Sequence, residues 1–379
     1  MPTTLATNWL YLASSRVPST AANAVHVAHM CDALLDHGFS VTLAAPSASW
    51  RRSKNSLMDQ YGLRHEVPLS PLWKPKIRRG REIGHLALKW RLLTSNPALI
   101  YGRLLWGCCI AAEMNKPTVF EIHKPEWESG RSAREDFMRL IASPGFRAIV
   151  CISAALETHV LKSFPSLEGK TIVAHDAAPS LDRPECHKES KSFVVGYFGS
   201  LYEGKGVETL LEVAPLCPWA VFQIVGGDAE SIQYWQTTRQ IPSNVFFLGH
   251  HPHPDLPSMM AKCHVLVAPY REKVMARGGT WEIGRWMSPL KLFEYMAMER
   301  PIVSADLPVL HEVLTHRENS ILVPPTDVTS WAATLQELRD DPHFARTIAQ
   351  RARADYEQHY TWNARVSKLL SALRRLEII

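Results

Sequence analysis

Short apolar runs alternate along the chain with longer segments in which apolar residues recur at helical spacing. The run at 8–14 is followed by a helical pattern over 23–38, which ends at a glycine, and then by a second run at 40–46. Further strand-like runs lie at 98–103, 117–123 and 148–153. A series of strands and helices of this kind predicts a parallel sheet with ligand sites at the carboxyl ends of its strands.

A second series of the same type follows a polar, proline-containing segment at 178–192, which we interpret as a linker. Its strand-like runs lie at 193–200, 220–227, 244–250, 263–270, 301–306 and 320–325, with helices predicted over 206–214 and from residue 288. The 379 residues are too many for one ordinary core. We therefore predict an α/β protein of two doubly wound, Rossmann-like domains that face a central cleft. The predicted boundaries are 1–180, 181–360 and a C-terminal helix, 361–379, that can cross back to the first domain.

Positive charge is concentrated in one segment of the first half. Residues 1–183 carry 22 Lys and Arg against 15 Asp and Glu, although the whole chain has a net charge of only +5. Much of the excess lies in 71–93, which also contains Trp73 and Trp90. A basic, aromatic segment can bind an anionic membrane surface or an anionic acceptor, and it can equally form a solvated charged face.

Cysteine usage and apolar runs indicate the compartment. The seven cysteines form no CxxC pair, which is typical of a reduced chain without disulfides or a zinc site. No cationic region precedes the first apolar stretch, and no apolar run approaches the roughly 20 residues needed to span a bilayer. We therefore expect a cytoplasmic protein, either free or peripheral on the inner face of the membrane. No nucleic-acid partner is predicted.

The sequence YFGSLYEGKG, residues 197–206, follows a predicted strand and precedes a predicted helix. Gly199, Gly204 and Gly206 permit tight turns, and Lys205 stands beside the helix start. Backbone N–H groups at a helix N-terminus together with a lysine can hold a phosphate. Turn glycines are common, so the prediction of a phosphate site depends on this strand–loop–helix context.

The sequence SPLKLFEY, residues 288–295, offers a second anion site. Ser288 is predicted to cap a helix that has Pro289 at its first position. Lys291 adds a charge to the free N–H groups of the first turn, and Glu294 could accept hydrogen bonds from a ribose diol. The alternative is an internal Lys291–Glu294 pair on a capped amphipathic helix.

Several histidines are further candidates. His123 ends a predicted strand, and His175 and Asp176 lie at the end of another. The HHPHP run at 250–254 lacks the carboxylates and helical spacing of a metal site, so no metal is predicted there.

Five segments, in this order, resemble the family 4 glycosyltransferases of the two-domain GT-B fold. They are GS…KG (199–206), FFLGHH (246–251), CHVLVAPY (263–270), KLFEYMAMERPIVSADLPVLHEVL (291–314) and NSILVPPTDVTSWAATLQEL (319–338). The resemblance implies that the first contacts the diphosphate of a nucleotide-sugar donor and that the backbone of the second contacts the base. It also implies that Glu294 holds the ribose and that His123 hydrogen-bonds the donor sugar.

The resemblance therefore assigns a site. The implied donor-binding residues are Gly199, Ser200, Lys205, Gly206, His250, His251, Ser288, Leu290, Lys291 and Glu294, and the implied catalytic residues are His123, Lys205 and Glu294. Ala22, Asn23 and Arg103 are assigned to the acceptor side or the cleft.

The chain departs from the family pattern at three points. The first of two glutamates in the family motif is replaced by Trp286, the arginine of the phosphate loop by Ser200, and a first-domain glycine pair by Ala21-Ala22. Lys291 could offset the missing arginine, and Glu282 could approach the sugar in place of Trp286.

The function that the resemblance implies is retaining, metal-independent sugar transfer from a nucleotide-diphosphate sugar. No cofactor is expected. The acceptor would be a glycan or a lipid-linked molecule, as in polysaccharide biosynthesis. Trp286 and Ser200 also keep open a non-catalytic module that binds nucleotide or glycan, and a GT-B sugar-nucleotide epimerase is a further alternative.

Overall fold

The computed structural model describes residues 8–19, 21–46, 57–72, 80–183, 192–275 and 281–379. It divides into two compact units. Unit 1 comprises Met1–Asp176 and Trp362–Ile379, and unit 2 comprises Ala177–Thr361. The chain thus enters unit 2 after residue 176 and returns to unit 1 for its last helix.

Unit 1 contains a seven-stranded, wholly parallel sheet with the strand order β3-β2-β1-β4-β5-β6-β7. The strands are β1 (Asn8–Leu12), β2 (Ser40–Ala45), β3 (Leu69–Pro71), β4 (Leu99–Gly102), β5 (Thr118–Ile122), β6 (Phe146–Cys151) and β7 (Thr171–Val173). The central strands are almost continuously apolar because helices cover both faces of a parallel sheet. β5 is buried along its whole length and still contains a glutamate, Glu121.

The described residues of unit 1 form seven α-helices. They are α1 (Ala22–Asp36), α2 (Leu57–Tyr61), α3 (Gly80–Ser95), α4 (Leu105–Glu113), α5 (Arg131–Ala142), α6 (Ala154–Ser163) and α13 (Trp362–Arg375). The last of these, α13, packs on α1 and buries Val366, Leu369 and Leu373. Because α13 belongs to unit 1, the side chain of Arg365 is buried inside that unit, with 2% exposed, and contacts Glu121 on β5.

Unit 2 contains a six-stranded parallel sheet with the order β10-β9-β8-β11-β12-β13. Its strands are β8 (Phe193–Phe198), β9 (Ala220–Val225), β10 (Val245–Gly249), β11 (Val265–Ala268), β12 (Ile302–Ala305) and β13 (Ile321–Val323). Its helices are α7 (Val207–Val213), α8 (Ala229–Thr238), α9 (Leu256–Met260), α10 (Leu290–Ala297), α11 (Val328–Asp340) and α12 (Pro342–Asp355).

These sheets confirm the predicted α/β class with two doubly wound units, and each strand-like run of the sequence corresponds to a strand. Two predicted features fall partly outside the described residues: 73–79 of the basic segment and 184–191 of the linker. Residues 80–95, at the end of the basic segment, form α3. In the part of the chain that the structure describes, no helix combines the length and the apolar character required to cross a bilayer.

Candidate active site

The loop between β8 and α7 contains two glycines, Gly204 and Gly206, at which a Cβ would collide with backbone atoms of the residues after β11. Gly206 has φ +87° and ends the loop as the residue before α7. A Cβ there would lie 1.7 Å from the carbonyl oxygen of Pro269. The loop is therefore pressed against the residues that follow β11, and Lys205 is held at this contact.

Lys291, in the first turn of α10, points its ammonium group toward this loop. Its Nζ is buried and finds no hydrogen-bond partner among the described residues. It lies 4.0 Å from the centroid of the Tyr197 ring and 4.8 Å from that of Tyr270, and a Cβ on Gly199 would come within 2.9 Å of it. Burial, and secondly the charge of Lys205, lower the pKa of Lys291 well below its usual value. A buried amine without a partner is costly unless an anion binds beside it.

Lys205 shares this environment. Its Nζ lies 5.5 Å from the centroid of the Tyr270 ring, and burial lowers the pKa of Lys205 to about 8. The desolvated amines of Lys205 and Lys291 therefore both lie near the ring of Tyr270, which follows β11. Cation–π contacts compensate only part of the cost of desolvating a charge, so the pair is suited to receive a strongly anionic group.

Glu294, one turn further along α10, is paired with a histidine rather than with Lys291. Oε1 of Glu294 lies 2.8 Å from Nε2 of His253, which begins the short 3-10 helix after β10. The alternative of an internal Lys291–Glu294 pair is therefore wrong: the helical spacing permitted it, but Lys291 points toward Tyr197 and Gly199 instead. His253 belongs to the HHPHP run, and sequence reasoning gave it no role of its own.

The predicted start of α10 also needs correction. Pro289 has an extended backbone (φ −76°, ψ 119°) and is itself the N-cap, so the helix begins at Leu290. Ser288 is buried two residues before the helix and does not occupy the N-cap position. Serine is a common N-cap residue, but here Pro289 has the extended backbone of the N-cap position, so the helix begins one residue later than predicted.

The remaining predicted donor residues lie around the same strand ends of unit 2. The Ser200 carbonyl accepts a hydrogen bond from the Tyr197 hydroxyl, and Leu290 is half-buried at the start of α10. His250 is exposed after β10, and Nε2 of His251 lies 3.2 Å from the Leu248 carbonyl oxygen. Their contacts with a donor remain predictions.

A second polar centre lies inside unit 1 around Glu121. Its Oε1 is 2.6 Å from Nε2 of His123 and 2.8 Å from Nε2 of His26, and its Oε2 is 3.1 Å from Nη2 of Arg365. Tyr101 donates a further hydrogen bond to Oε2. Burial opposes ionisation of this carboxyl, but Arg365 and His26 outweigh that effect and hold the pKa of Glu121 well below its usual value.

His123 is the group of this centre that the sequence singled out. Burial, and secondly the positive charge of Arg103, lower the pKa of His123 to about 4, so the imidazole is neutral at pH 7. Its Nε2 faces an ionised carboxylate, which favours the tautomer that donates from Nε2 and leaves Nδ1 as an acceptor. Of the other residues assigned to this domain, Ala22 and Asn23 are exposed in the first turn of α1, and Arg103 follows β4.

Most of this centre was missed by sequence reasoning. Asp176 was noted at a strand end, and it lies 2.8 Å from Nδ1 of His26. Glu121 carried one signal, a charged residue two positions before His123 in an otherwise apolar run. Nothing marked His26 on α1 or Arg365 on α13, because their partners are 95 and 244 residues away along the sequence.

His26, Glu121 and His123 are also spaced as metal ligands would be, since one ligand atom from each lies within 4.8 Å of the others. The Nε2 atoms of His26 and His123 lie 2.8 and 2.6 Å from the same carboxylate oxygen, to which His123 is hydrogen-bonded, and Arg365 and Tyr101 contact the other oxygen. This arrangement is that of a hydrogen-bonded ionic network. Metal-independent chemistry remains a prediction.

Comparisons with known proteins agree with this architecture. The model of the family described as "Glycosyl transferases group 1" matches residues 192–341, and that described as "Glycosyltransferase Family 4" matches residues 24–175. No curated protein matches the sequence significantly.

Solved structures with the same fold share little sequence with this chain. Anabaena HepE in complex with UDP is 19% identical with a TM-score of 0.71, covering 97% of this chain and 100% of its own. Sucrose-phosphate synthase from Thermosynechococcus elongatus is 17% identical with a TM-score of 0.74, covering 98% and 99%. A glycosyltransferase from Rickettsia africae is 13% identical with a TM-score of 0.72, also covering 98% and 99%.

Two parallel α/β sheets of this order, together with these structural neighbours, define a GT-B protein. One family model matches within each unit. The chain belongs to the group 1 glycosyltransferases of the family 4 type, and it is a transferase.

Proposed function

We propose that this protein transfers a sugar from a nucleotide-diphosphate sugar to a glycan or lipid-linked acceptor, with retention of configuration. The observation that carries the proposal is the buried, unpartnered ammonium of Lys291 beside Lys205 in unit 2. A nucleoside diphosphate is an anion of matching charge. Anabaena HepE, a structural neighbour, is described in complex with UDP, which favours the same class of ligand.

In the proposed reaction, the bond between the anomeric carbon and the β-phosphate oxygen breaks while the acceptor hydroxyl oxygen bonds to that carbon from the same face. The acceptor proton passes to the departing phosphate. Negative charge grows on the β-phosphate, and Lys205 and Lys291 would stabilise it as preorganised cations, each contributing roughly 3 kcal/mol. Glu294 would accept from the ribose diol, and Nδ1 of neutral His123 would accept from a sugar hydroxyl. This chemistry requires no metal or cofactor.

A ligand screen followed by a turnover assay tests this function. UDP, GDP and ADP, and their sugars, are added to the protein and the unfolding temperature is recorded. At about 100 times its dissociation constant, the correct nucleotide is expected to raise the midpoint by roughly 5–10 °C, because ligand binding stabilises the folded state by mass action. Released nucleoside diphosphate is then measured with the donor that binds.

Lys205→Ala is expected to remove most of that shift, and substitution of the exposed Lys262 serves as its matched control in unit 2. If no nucleotide shifts the midpoint, the proposed donor class is wrong. If a nucleotide binds but no donor is ever turned over, the non-catalytic module becomes the better interpretation.

We further propose that α3 holds the protein on an anionic membrane at the cytoplasmic face, where a lipid-linked acceptor would be reached. Leu86, Trp90 and Leu93 are 66%, 69% and 66% exposed and recur at i, i+4 and i+7 on one side of α3. Lys89 is exposed beside them, and five further Lys and Arg residues of the segment, at positions 74–81, precede them in the sequence. An apolar stripe flanked by cations matches an anionic bilayer surface, as the composition of this segment suggested.

Vesicle flotation tests the membrane proposal. The wild type is expected to float with phosphatidylcholine vesicles that contain phosphatidylglycerol, and not with phosphatidylcholine alone. Trp90→Ser with Leu93→Ser should reduce binding at least about 10-fold, because both side chains lose their burial in the bilayer. Leu216→Ser, at an apolar side chain of unit 2 that is 52% exposed, is the control. Equal flotation of the α3 variant and the wild type would refute the proposal.

A further inference from the structure

We propose that His253 is a positioning residue that fixes the carboxylate of Glu294 in the orientation needed to bind the ribose diol of the donor. This inference rests on the proposed nucleotide-sugar donor. It assigns a role to a histidine that neither the sequence motifs nor the resemblance singled out.

The geometry of the pair supports the assignment. His253 begins a 3-10 turn after β10, whereas Glu294 lies on α10, 41 residues later. The 2.8 Å contact joins Nε2 of His253 to only one oxygen, Oε1, of Glu294. A glutamate side chain has three rotatable bonds, and anchoring one of its oxygens fixes the plane of the carboxylate and the direction of the other.

The environment of the pair is partly closed. The side chains of His253 and Glu294 are 27% and 14% exposed. Burial opposes the charged imidazole, but the hydrogen bond and charge of Glu294 outweigh it and raise the pKa of His253 above its usual value. The contact is thus charge-assisted, which makes it stronger and more directional than a contact between neutral groups.

A purely structural ion pair between a turn and a helix is the competing explanation. Unit 2 contains such a pair for comparison, since Nε2 of His311 lies 2.5 Å from Oδ1 of Asp306 with both side chains about half exposed (53% and 45%). Loss of a purely structural pair would lower the stability of the protein, or would lower its affinity for every ligand by the same factor. Loss of a positioning residue would act on one part of the ligand only, and the two explanations can be separated on that basis.

The experiment measures how well the protein recognises each ribose hydroxyl. Dissociation constants are determined by calorimetry for UDP, GDP or ADP, whichever stabilises the wild type most, and for its 2′-deoxy and 3′-deoxy forms. The wild type is expected to bind the intact nucleotide about 10-fold or more tightly than a deoxy form, since a hydrogen bond to a carboxylate is lost. Glu294→Ala should abolish that preference.

His253→Ala is expected to reduce the preference to about 2-fold while leaving the affinity for the deoxy nucleotides nearly unchanged. His253→Gln can still donate to Oε1 and should restore most of the preference. His311→Ala, the matched control, should behave like the wild type.

The results separate this inference from the function on which it rests. If Glu294→Ala loses the preference and His253→Ala keeps it, or if His253→Ala weakens all ligands equally, the role of His253 is refuted while the donor site stands. If Glu294→Ala keeps the preference, or the wild type shows none, the ribose assignment of Glu294 fails and that of His253 with it. If no nucleoside diphosphate binds, the proposed function itself fails.

Discussion

Lys291→Met is expected to abolish most sugar transfer and, at the same time, to stabilise the unliganded protein. The ammonium of Lys291 is buried against Tyr197 and Tyr270 and lacks a hydrogen-bond partner among the described residues. Methionine fills a similar volume without a charge to desolvate. Turnover should fall about 10²–10³-fold, as when one preorganised donor to a developing anion is removed. The free energy of unfolding without ligand should rise by about 1–2 kcal/mol.

Two measurements check this prediction: steady-state release of nucleoside diphosphate, and urea unfolding of the ligand-free protein. Lys262→Met, at an exposed lysine of the same unit, should change neither. A variant that loses stability together with activity would show that Lys291 supports the fold. Opposite changes in stability and activity are the signature of a residue kept for its ligand.

Arg365→Ala is expected to destabilise unit 1 by about 3–5 kcal/mol, because removing one member of a buried ion pair leaves the other charge without compensation. Glu121 is fully buried, and Arg365 lies 3.1 Å from its Oε2 while donating from Nε to the His175 carbonyl at 2.8 Å. Truncation thus removes the guanidinium that faces the buried carboxylate, and with it one hydrogen-bond donor to the backbone carbonyl. Chemical denaturation followed by a probe in unit 1 measures the effect.

Lys368→Ala, at an exposed position one turn later on α13, is the control and should lie within about 0.5 kcal/mol of the wild type. The double variant Glu121→Gln with Arg365→Met should recover much of the stability lost in Arg365→Ala, since the uncompensated charge is gone. If Arg365→Ala unfolds like Lys368→Ala, the ion pair contributes nothing to the fold. Recovery in the double variant would show that the charge, and not the packing of the arginine stem, was responsible.

The sequence predicted most strands of both sheets, because parallel strands buried on both faces are short apolar runs that differ clearly from amphipathic helices. It missed β3 (Leu69–Pro71), a three-residue edge strand whose residues are not buried. It also singled out Lys205, Lys291 and Glu294 as candidates, since each lies on a strand–loop–helix or helix-start pattern with a local chemical meaning. The partners of these residues could not be predicted. His253 contacts Glu294 across 41 residues, and Arg365 contacts Glu121 across 244, so no local spacing encodes either pair. A local pattern can also mislead: the preference of serine for helix caps predicted Ser288 as the N-cap of α10, but the adjacent Pro289 occupies that position.

The path of the chain has a consequence for how the protein is made. Unit 1 is discontinuous, and all of unit 2 is inserted between Asp176 and Trp362. During synthesis, the strand that carries Glu121 leaves the ribosome long before the helix that carries Arg365. The negative charge at the centre of the first sheet therefore has no arginine to neutralise it until all of unit 2 has been translated. Completion of the core of unit 1 is thereby coupled to synthesis of unit 2, and a product terminated within unit 2 would contain Glu121 without its arginine.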